Sequence, residues 1–258
     1  MMGEQQLCHW PSWKLPVLPN EVMATGRQAC AYLPAQYAMF RVIQTEEEAT
    51  VSGEGYQRLL DAGFRRSGSM IYQPMCSGCR ACIPLRVPVE SFAPSKSQRR
   101  AVRSNSDVVV QVGTPEPTRE KWELYERYQR EWHQKPMGDS DEVMEFVAFL
   151  YRSPIESIEF EYRDRWGKLL GVGIGDLCPA SLSSVYFYFD PREARRSLGT
   201  FSALYEIQWA RLRGMKYWYA GYWINECPAM AYKSRFRPCE LLGTDGIWRL
   251  LPEESSTS

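Results

Sequence analysis

Histidine is scarce in this chain, with His9 and His133 the two it has. A histidine general base therefore has few candidates, and His133 falls in an amphipathic helical stretch where an exposed or core-capping place suits it better than catalysis. Net charge is missing too. The 31 basic residues balance 31 acidic ones, so a nucleic-acid partner would have to be held by a local basic patch and not by the charge of the whole protein. No apolar run reaches the ~18 residues that suggest a membrane span. The opening "MMGEQQLCHWPSWKLPVLPN" lacks the basic segment and apolar stretch of a secretory signal, and a cytoplasmic protein is expected. Internal repeats and low-complexity tracts are also absent from the sequence.

Aromatic residues are plentiful. Nine Trp and fifteen Tyr, in a composition that is 44% hydrophobic and 13% aromatic, lie far from the polar composition that leaves a chain disordered. At 258 residues there is material for one large core or two modest ones, and two packed parts are expected. In a reducing compartment, eight cysteines point to metal binding or catalysis before disulfides.

Residues 1 to 25 are proline-rich and irregular, and 252–258 reads as a disordered tail. Thr50 to Gly63 reads as a short helix closed by the glycine, followed by a strand or hairpin over 64–74 with Gly68 at its turn. "IPLRVPVESF", interrupted by Pro84 and Pro88, reads as an edge strand. "VGTPEPT", residues 112–118, is the clearest linker and divides an N-terminal domain, 1–111, from a second domain, 118–251. That second part opens with a helix carrying Trp122, Tyr125, Tyr128 and Trp132 at helical spacing, a stripe that suits core packing better than a ligand cage. A further helix over "SDEVMEFVAFLYRS" has Asp139 or Ser140 as its cap. Three strands, "IESIEFEYR", "LLGVGIGDL" and "SSVYFYFDP", then form a meander. A loop, a helix from Thr200 to Arg213 stopped at Gly214, and a strand from Lys216 to Trp223 complete a β-loop-α-β unit, hence a mixed α/β (α+β) architecture.

Three stretches could carry chemistry. In "SFAPSKSQRRAVRSN", Lys96, Arg99, Arg100 and Arg103 have no acid among them and make either a phosphate-binding patch or a solvated charged turn. The loop "RRSLGT" offers Arg195, Arg196 and Gly199 at a helix start, where free N–H groups and the helix dipole attract an anion. In "PMCSGCRACIPLRVP", Cys76, Cys79 and Cys82 stand at C-x2-C-x2-C spacing. With a distant fourth thiolate such as Cys30 they could bind Zn or an iron-sulfur cluster; a metal-free cysteine-lined turn is the other reading. Cys8, Cys178, Cys227 and Cys239 read as small hydrophobes.

Five of these motifs in order, "GFRRSGSMIYQPMCSGCRACIPLRV", "SQRRAVRSN", "RRSLGTFSALYEIQWA", "YWYAGYWI" and "CPAMAYKSRFRPCELL", resemble the aminoacyl-tRNA protein transferases. The chain looks most like their bacterial branch, the aspartate/glutamate leucyltransferases, and the likeness runs from about Cys30 to Trp248. The resemblance implies an acetyltransferase-like (GNAT) second domain and a smaller cysteine-containing N-terminal domain. It also implies a reaction, the transfer of leucine from leucyl-tRNA to the α-amine of proteins or peptides that begin with Asp or Glu, marking them for degradation. No cofactor is required for the transfer, and neither DNA nor a membrane takes part. A four-thiolate arrangement occurs in the eukaryotic relatives, but here Leu33 replaces the second cysteine of their first pair and the later spacing differs.

The demands of that reaction can be matched to residues. Pairing with the acceptor's carboxylate calls for arginine, and Arg65, Arg66 and Ser67 in "FRRSG" are assigned to it. Tyr222, Tyr232 and Lys233 are placed to orient the aminoacyl ester or support charge on its carbonyl. The basic patch, with Arg195, Arg196 and Gly199, is assigned to the tRNA. Competing readings are an arginyl donor, a coenzyme A-dependent N-acetyltransferase, against which "RRSLGT" lacks the fuller glycine pattern, and a non-enzymatic metal or redox sensor built on the cysteines.

Overall fold

The computed structural model describes residues 22–45, 50–137 and 140–252. Cys8, His9, Asp139, most of the irregular 1–25 stretch and the tail 253–258 lie outside the described residues.

The chain begins with β1 (Val22–Ala24), the short hairpin β2 (Gln28–Ala29) and β3 (Tyr37–Ala38), and β4 (Phe40–Gln44). Helix α1 (Gly53–Asp61) follows, then β5 (Arg65–Ser67), β6 (Met70–Pro74) and β7 (Ile83–Pro88). Next come α2 (Lys96–Ser104), β8 (Val109–Gly113), α3 (Arg119–Glu131) and α4 (Ser140–Phe146). The meander is β9 (Ser157–Arg163), β10 (Leu169–Cys178) and β11 (Ser181–Phe189); α5 (Leu198–Leu212), β12 (Tyr217–Trp223), α6 (Pro228–Ala231), β13 (Glu240–Leu242) and β14 (Trp248–Leu250) complete it.

Two sheets organise these elements. A four-stranded sheet has the order β1-β4-β6-β5, and an eight-stranded sheet has the order β14-β13-β7-β12-β11-β10-β9-β8. In the large sheet β11 and β12 run parallel, joined by the crossover through α5, while the other pairs are antiparallel. An antiparallel meander, a helical crossover and one parallel neighbour make a mixed α/β plan.

Several elements follow from local chemistry. Ser52 caps α1 by accepting from Gly55 N, and the helix stops where Gly63 takes φ +87°, a conformation glycine adopts without strain. The β5–β6 hairpin turns at Gly68, as its sequence suggests. Ser95 and Gln98 form a reciprocal capping box at the start of α2. The aromatic stripe of α3 does bury Tyr128, beside Leu124, although Trp132 stays 50% exposed.

Three expectations change. β7 is not an edge strand, because it lies between β12 and β13. Its prolines are tolerated because β13 pairs with Leu85 and Arg86 alone, leaving Pro84 and Pro88 outside that short ladder. The second helix of the later half is not one α-helix: after α4 it widens into a π turn over Val147–Tyr151, and Phe149 O there accepts from Gly68 N of the hairpin. Finally, β7 and β8 precede residue 118 yet are strands of the large sheet, so 112–118 connects β8 to α3 beside a continuous sheet.

Helix α5 covers one face of that sheet with Phe201, Leu204, Ile207 and Trp209 against Leu182 and Trp218. On the other side α1 packs Tyr56, Leu59 and Leu60 with Ile43 and Ile71 of the small sheet against Tyr219 and Cys178.

Candidate active site

The parallel pairing of β11 with β12 covers only Ser181–Ser183 and Tyr217–Tyr219. The register is irregular nearby, between Ile174 and Gly175 on β10 and between Tyr219 and Gly221 on β12. A bulge bends its strand, and beyond Ser183 the two strands no longer pair, which leaves a notch in the middle of the sheet. Arg65 of β5 reaches into it. Its Nη2 donates to Ser184 O on β11, while a Cβ on Gly221 of β12 would lie 3.6 Å from the same nitrogen. Arg65 is 7% exposed, and its buried Nη1 finds no partner among the described residues.

Lys233 stands beside it. Its Nζ donates to Tyr222 O at 3.0 Å and would meet a Cβ on Gly221 at 3.3 Å. Gly221 has φ +89°, so the absence of a side chain there serves both the bulge and the close approach of two cations. Burial, with the Arg65 charge second, pushes Lys233 down to about 7. Tyr222 is buried, and its hydroxyl donates to Gly63 O at 2.9 Å, which commits it to holding the strand in place. Tyr232, in the 3-10 turn Tyr232–Arg235, is 42% exposed and packs edge-on against Phe236.

The structure separates the arginine pair. Arg66 is closed by Asp176: Nε donates to Oδ2 at 2.9 Å and Nη2 to Oδ1 at 2.8 Å, with both side chains fully buried. Arg66 Nη1 also donates to Gly68 O, and Ser157 Oγ donates to Asp176. No donor pair of Arg66 is left facing the notch as Arg65 is. Ser67 is half-buried on the wall of a neighbouring cavity.

That cavity, about 390 Å³, is lined by Cys30, Cys76, Cys79 and Cys82 together with Tyr72 and Tyr222, among others. Burial, then the neighbouring Cys76, Cys30 and Cys79 thiols, pushes Cys82 up to about 12. The four thiols thus converge, but among the described residues no three His, Cys, Asp or Glu side chains form a group that could hold a metal ion. As they stand they do not fit Zn or an iron-sulfur cluster.

The basic patch is a helix face. On α2 Gln98 and Ala101 are buried while Lys96, Arg99, Arg100 and Arg103 are exposed. Asn105 ties this helix to the loop before α5 by donating to both Ala101 O and Arg196 O at 2.8 Å. In that loop Arg195 is exposed, whereas Arg196 is held two-pronged by Asp107 and also by Glu193. Gly199 lies in the first turn of α5, open enough that a Cβ would meet only Phe187 at ordinary contact distance. His133 is exposed, with its ring edge-on to Tyr128.

One ionisable group here escaped the sequence reading. Glu206 of α5 is 1% exposed and accepts from Trp218 Nε1 at 2.8 Å. Its signal in the sequence was an acid inside "FSALYEIQWA", a helix with scarcely a polar face.

Known proteins resemble this chain along most of its length. The family described as arginine-tRNA-protein transferase matches in both its parts, the N terminus over residues 28–100 and the C terminus over residues 120–243. An aspartate/glutamate leucyltransferase of Saccharophagus degradans is 38% identical over 221 residues, covering 86% of this chain and 93% of the relative. That of Pseudomonas savastanoi pv. phaseolicola is 39% identical over 226 residues, covering 87% and 94%. Among solved structures, FemX is 9% identical with a TM-score of 0.49, covering 85% of this chain and 86% of that one. Both halves of the family matched in order, by relatives of nearly equal length, establish that the chain belongs to the arginine-tRNA-protein transferase family and is an aminoacyl-tRNA protein transferase akin to the aspartate/glutamate leucyltransferases.

Proposed function

We propose that this protein moves leucine from leucyl-tRNA to the α-amine of proteins whose first residue is Asp or Glu. The observation that carries the reading is Arg65 Nη1, a buried guanidinium nitrogen without a partner among the described residues. A buried donor left unpaired costs about 1–3 kcal/mol, and the carboxylate of an acidic first residue supplies a charge-assisted bond to it. Arg65 alone takes this role, since Arg66 is spent on Asp176.

With that carboxylate held, the α-amine is placed next to Lys233 and Tyr232. Its ordinary pKa is about 8, so a neutral fraction is available without a strong base. The nitrogen lone pair attacks the ester carbonyl carbon, and the carbonyl electron pair moves onto oxygen. Lys233 in its charged form and the Tyr232 hydroxyl support that oxyanion. Collapse re-forms the carbonyl and breaks the bond to the ribose oxygen, which leaves with the proton given up by the amine.

The cysteine-lined cavity shares Tyr222 with this site and receives the leucyl side chain. Its lining residues include aromatic rings, alanines and thiols and no Asp or Glu among the described residues, which favours an apolar donor over an arginyl group that would need a buried counter-charge. The exposed face of α2, with Arg195, contacts tRNA phosphates and so positions the donor without reading sequence. The reaction belongs in the cytoplasm, where charged tRNA is made.

The test is to incubate the protein with leucyl- or arginyl-tRNA and peptides headed by Asp, Glu or Lys, and to weigh the products. Leucine is expected on the Asp and Glu peptides only. Addition to the Lys peptide at the same rate, or to none while controls work, would overturn the reading.

A further inference from the structure

Trp166 is 77% exposed, more than any other large hydrophobic side chain among the described residues, and the transfer chemistry above does not use it. It stands at the tip of the turn between β9 and β10, and the turn is built to hold it there. Asp164 Oδ1 accepts from Trp166 N at 2.9 Å and from Lys168 N at 3.0 Å, Gly167 takes φ +88°, and Arg163 Nη1 donates to Gly167 O at 2.9 Å. The Arg165 guanidinium lies 4.7 Å from the centre of the Trp166 ring, within cation–π reach. One face of the indole thus carries a cation, and so large an exposure leaves the other face to solvent.

Three sets of contacts place this tip beside the cations assigned to the tRNA. Arg163 pairs with Val109 at the start of β8, which follows α2. Lys168 Nζ meets Asp190 and Glu193, each at 3.2 Å, in the loop that carries Arg195. Arg196 of that loop is held two-pronged by Asp107, and its carbonyl accepts from Asn105, both just after α2. Asp107, Asp190 and Glu193 are spent on these pairs, while Arg103, Arg165 and Arg195 face solvent. This is also the end toward which the notch opens, since β11 and β12 part beyond Ser183. At about 3.4 Å per residue, Ser184 to Phe189 spans roughly 17 Å, and Phe189 pairs with Gly171 just short of the turn, so Trp166 is too far away to touch the reacting ester.

We propose that Trp166 is a stacking platform for an unpaired base in the 3′ strand of the donor tRNA, on its way from the notch to the acceptor stem. The proposal rests on the reading of the α2 face given above. An indole needs the uncovered face of a base, which a single strand offers and a paired helix hides. The charges around the ring select a polyanion, because an apolar protein surface closing over it would also have to bury arginines. Stacking neutralises no phosphate, so it adds affinity without the release of counterions that the α2 contacts bring.

Filter binding of uncharged leucine-specific tRNA, intact or trimmed of its unpaired 3′ nucleotides, tests this on the full chain. Trp166→Ala is expected to bind intact tRNA roughly 5- to 150-fold more weakly, the worth of one base stacked on an aromatic ring, with its salt slope and its melting temperature unchanged. Trp166→Phe should keep most of the affinity, and trimming should erase the difference between Trp166→Ala and wild type. Equal binding of intact tRNA by Trp166→Ala and wild type, a loss that Trp166→Phe shares in full, or a loss that persists undiminished on trimmed tRNA overturns the proposal. Arg100→Glu reports separately on the α2 reading, which fails if that variant binds intact tRNA as wild type does.

Discussion

In a β-strand successive side chains leave on opposite faces, and the adjacent arginines of β5 show what this does to two identical guanidiniums. Arg66 turns toward Asp176 and is fully covered, while Arg65 turns through the notch and keeps one nitrogen free. Removing Arg66 strands a buried carboxylate, which costs about 3–5 kcal/mol. Arg66→Ala is therefore expected to lower the melting temperature by roughly 10 °C, as differential scanning calorimetry would show. Arg65→Ala should instead keep its fold and lose roughly 10–100-fold in kcat/KM for Asp- and Glu-headed peptides, the worth of a hydrogen bond between charged groups. Glu206 carries a signature of its own. Its carboxyl rises from an ordinary value near 4.5 to about 7, so the fold favours the protonated form, and this contribution is lost as pH climbs from 4.5 to 7. Urea unfolding of wild type and Glu206→Gln at pH 5 and pH 8 should show the variant gaining roughly 2–3 kcal/mol relative to wild type at the higher pH.

At the scale of single elements, the β12 bulge sets the geometry of the notch. Gly221→Ala introduces a Cβ at φ +89° and 3.3 Å from Lys233 Nζ. The backbone strain costs about 1–3 kcal/mol, and displacement of Lys233 should reduce kcat more than it raises KM in a steady-state transfer assay. Helix α2 presents a separate test, because its charges are exposed and its other face is anchored. Arg100→Glu is expected to weaken binding of leucyl- and arginyl-tRNA alike and to reduce the salt slope of affinity by about 1 or somewhat more; a filter-binding series in KCl would measure it. The four cations of α2 were legible in sequence as a basic patch, but their helix was not: the stretch reads equally as a charged turn, and the signal passed over was Ser95 followed three residues later by Gln98, which form the capping box. The place of β7 was not legible either. Its two prolines argue for an edge, and nothing local tells that β13 would be short enough to fit between them.

For the whole molecule, the meander and the crossover unit could be read from alternation and turn residues, and the family from five motifs. The notch could not, since it arises where β11 and β12, brought side by side by α5, stop pairing and an arginine from the other sheet fills the gap. Glu206 stayed hidden for a related reason: in the sequence it is one acid on a helix, and only the packing of Gly173, Ser202 and Trp218 around it makes it a buried acid. The same interleaving limits how the chain can be cut. A fragment of residues 118–251 lacks β7, whose Leu85 and Val87 are fully buried between β12 and β13. It is expected to show no cooperative thermal transition by circular dichroism, whereas the full chain does.

The central position of β7 also governs assembly during translation. Ile83–Pro88 leaves the ribosome with neither neighbour yet made, and must wait for Tyr217–Trp223 and then Glu240–Leu242 before both its edges are satisfied. Such long-range closure slows folding. Until the last tenth of the chain emerges, the nascent protein therefore presents an unpaired apolar ribbon, a segment that a holding chaperone would be suited to cover.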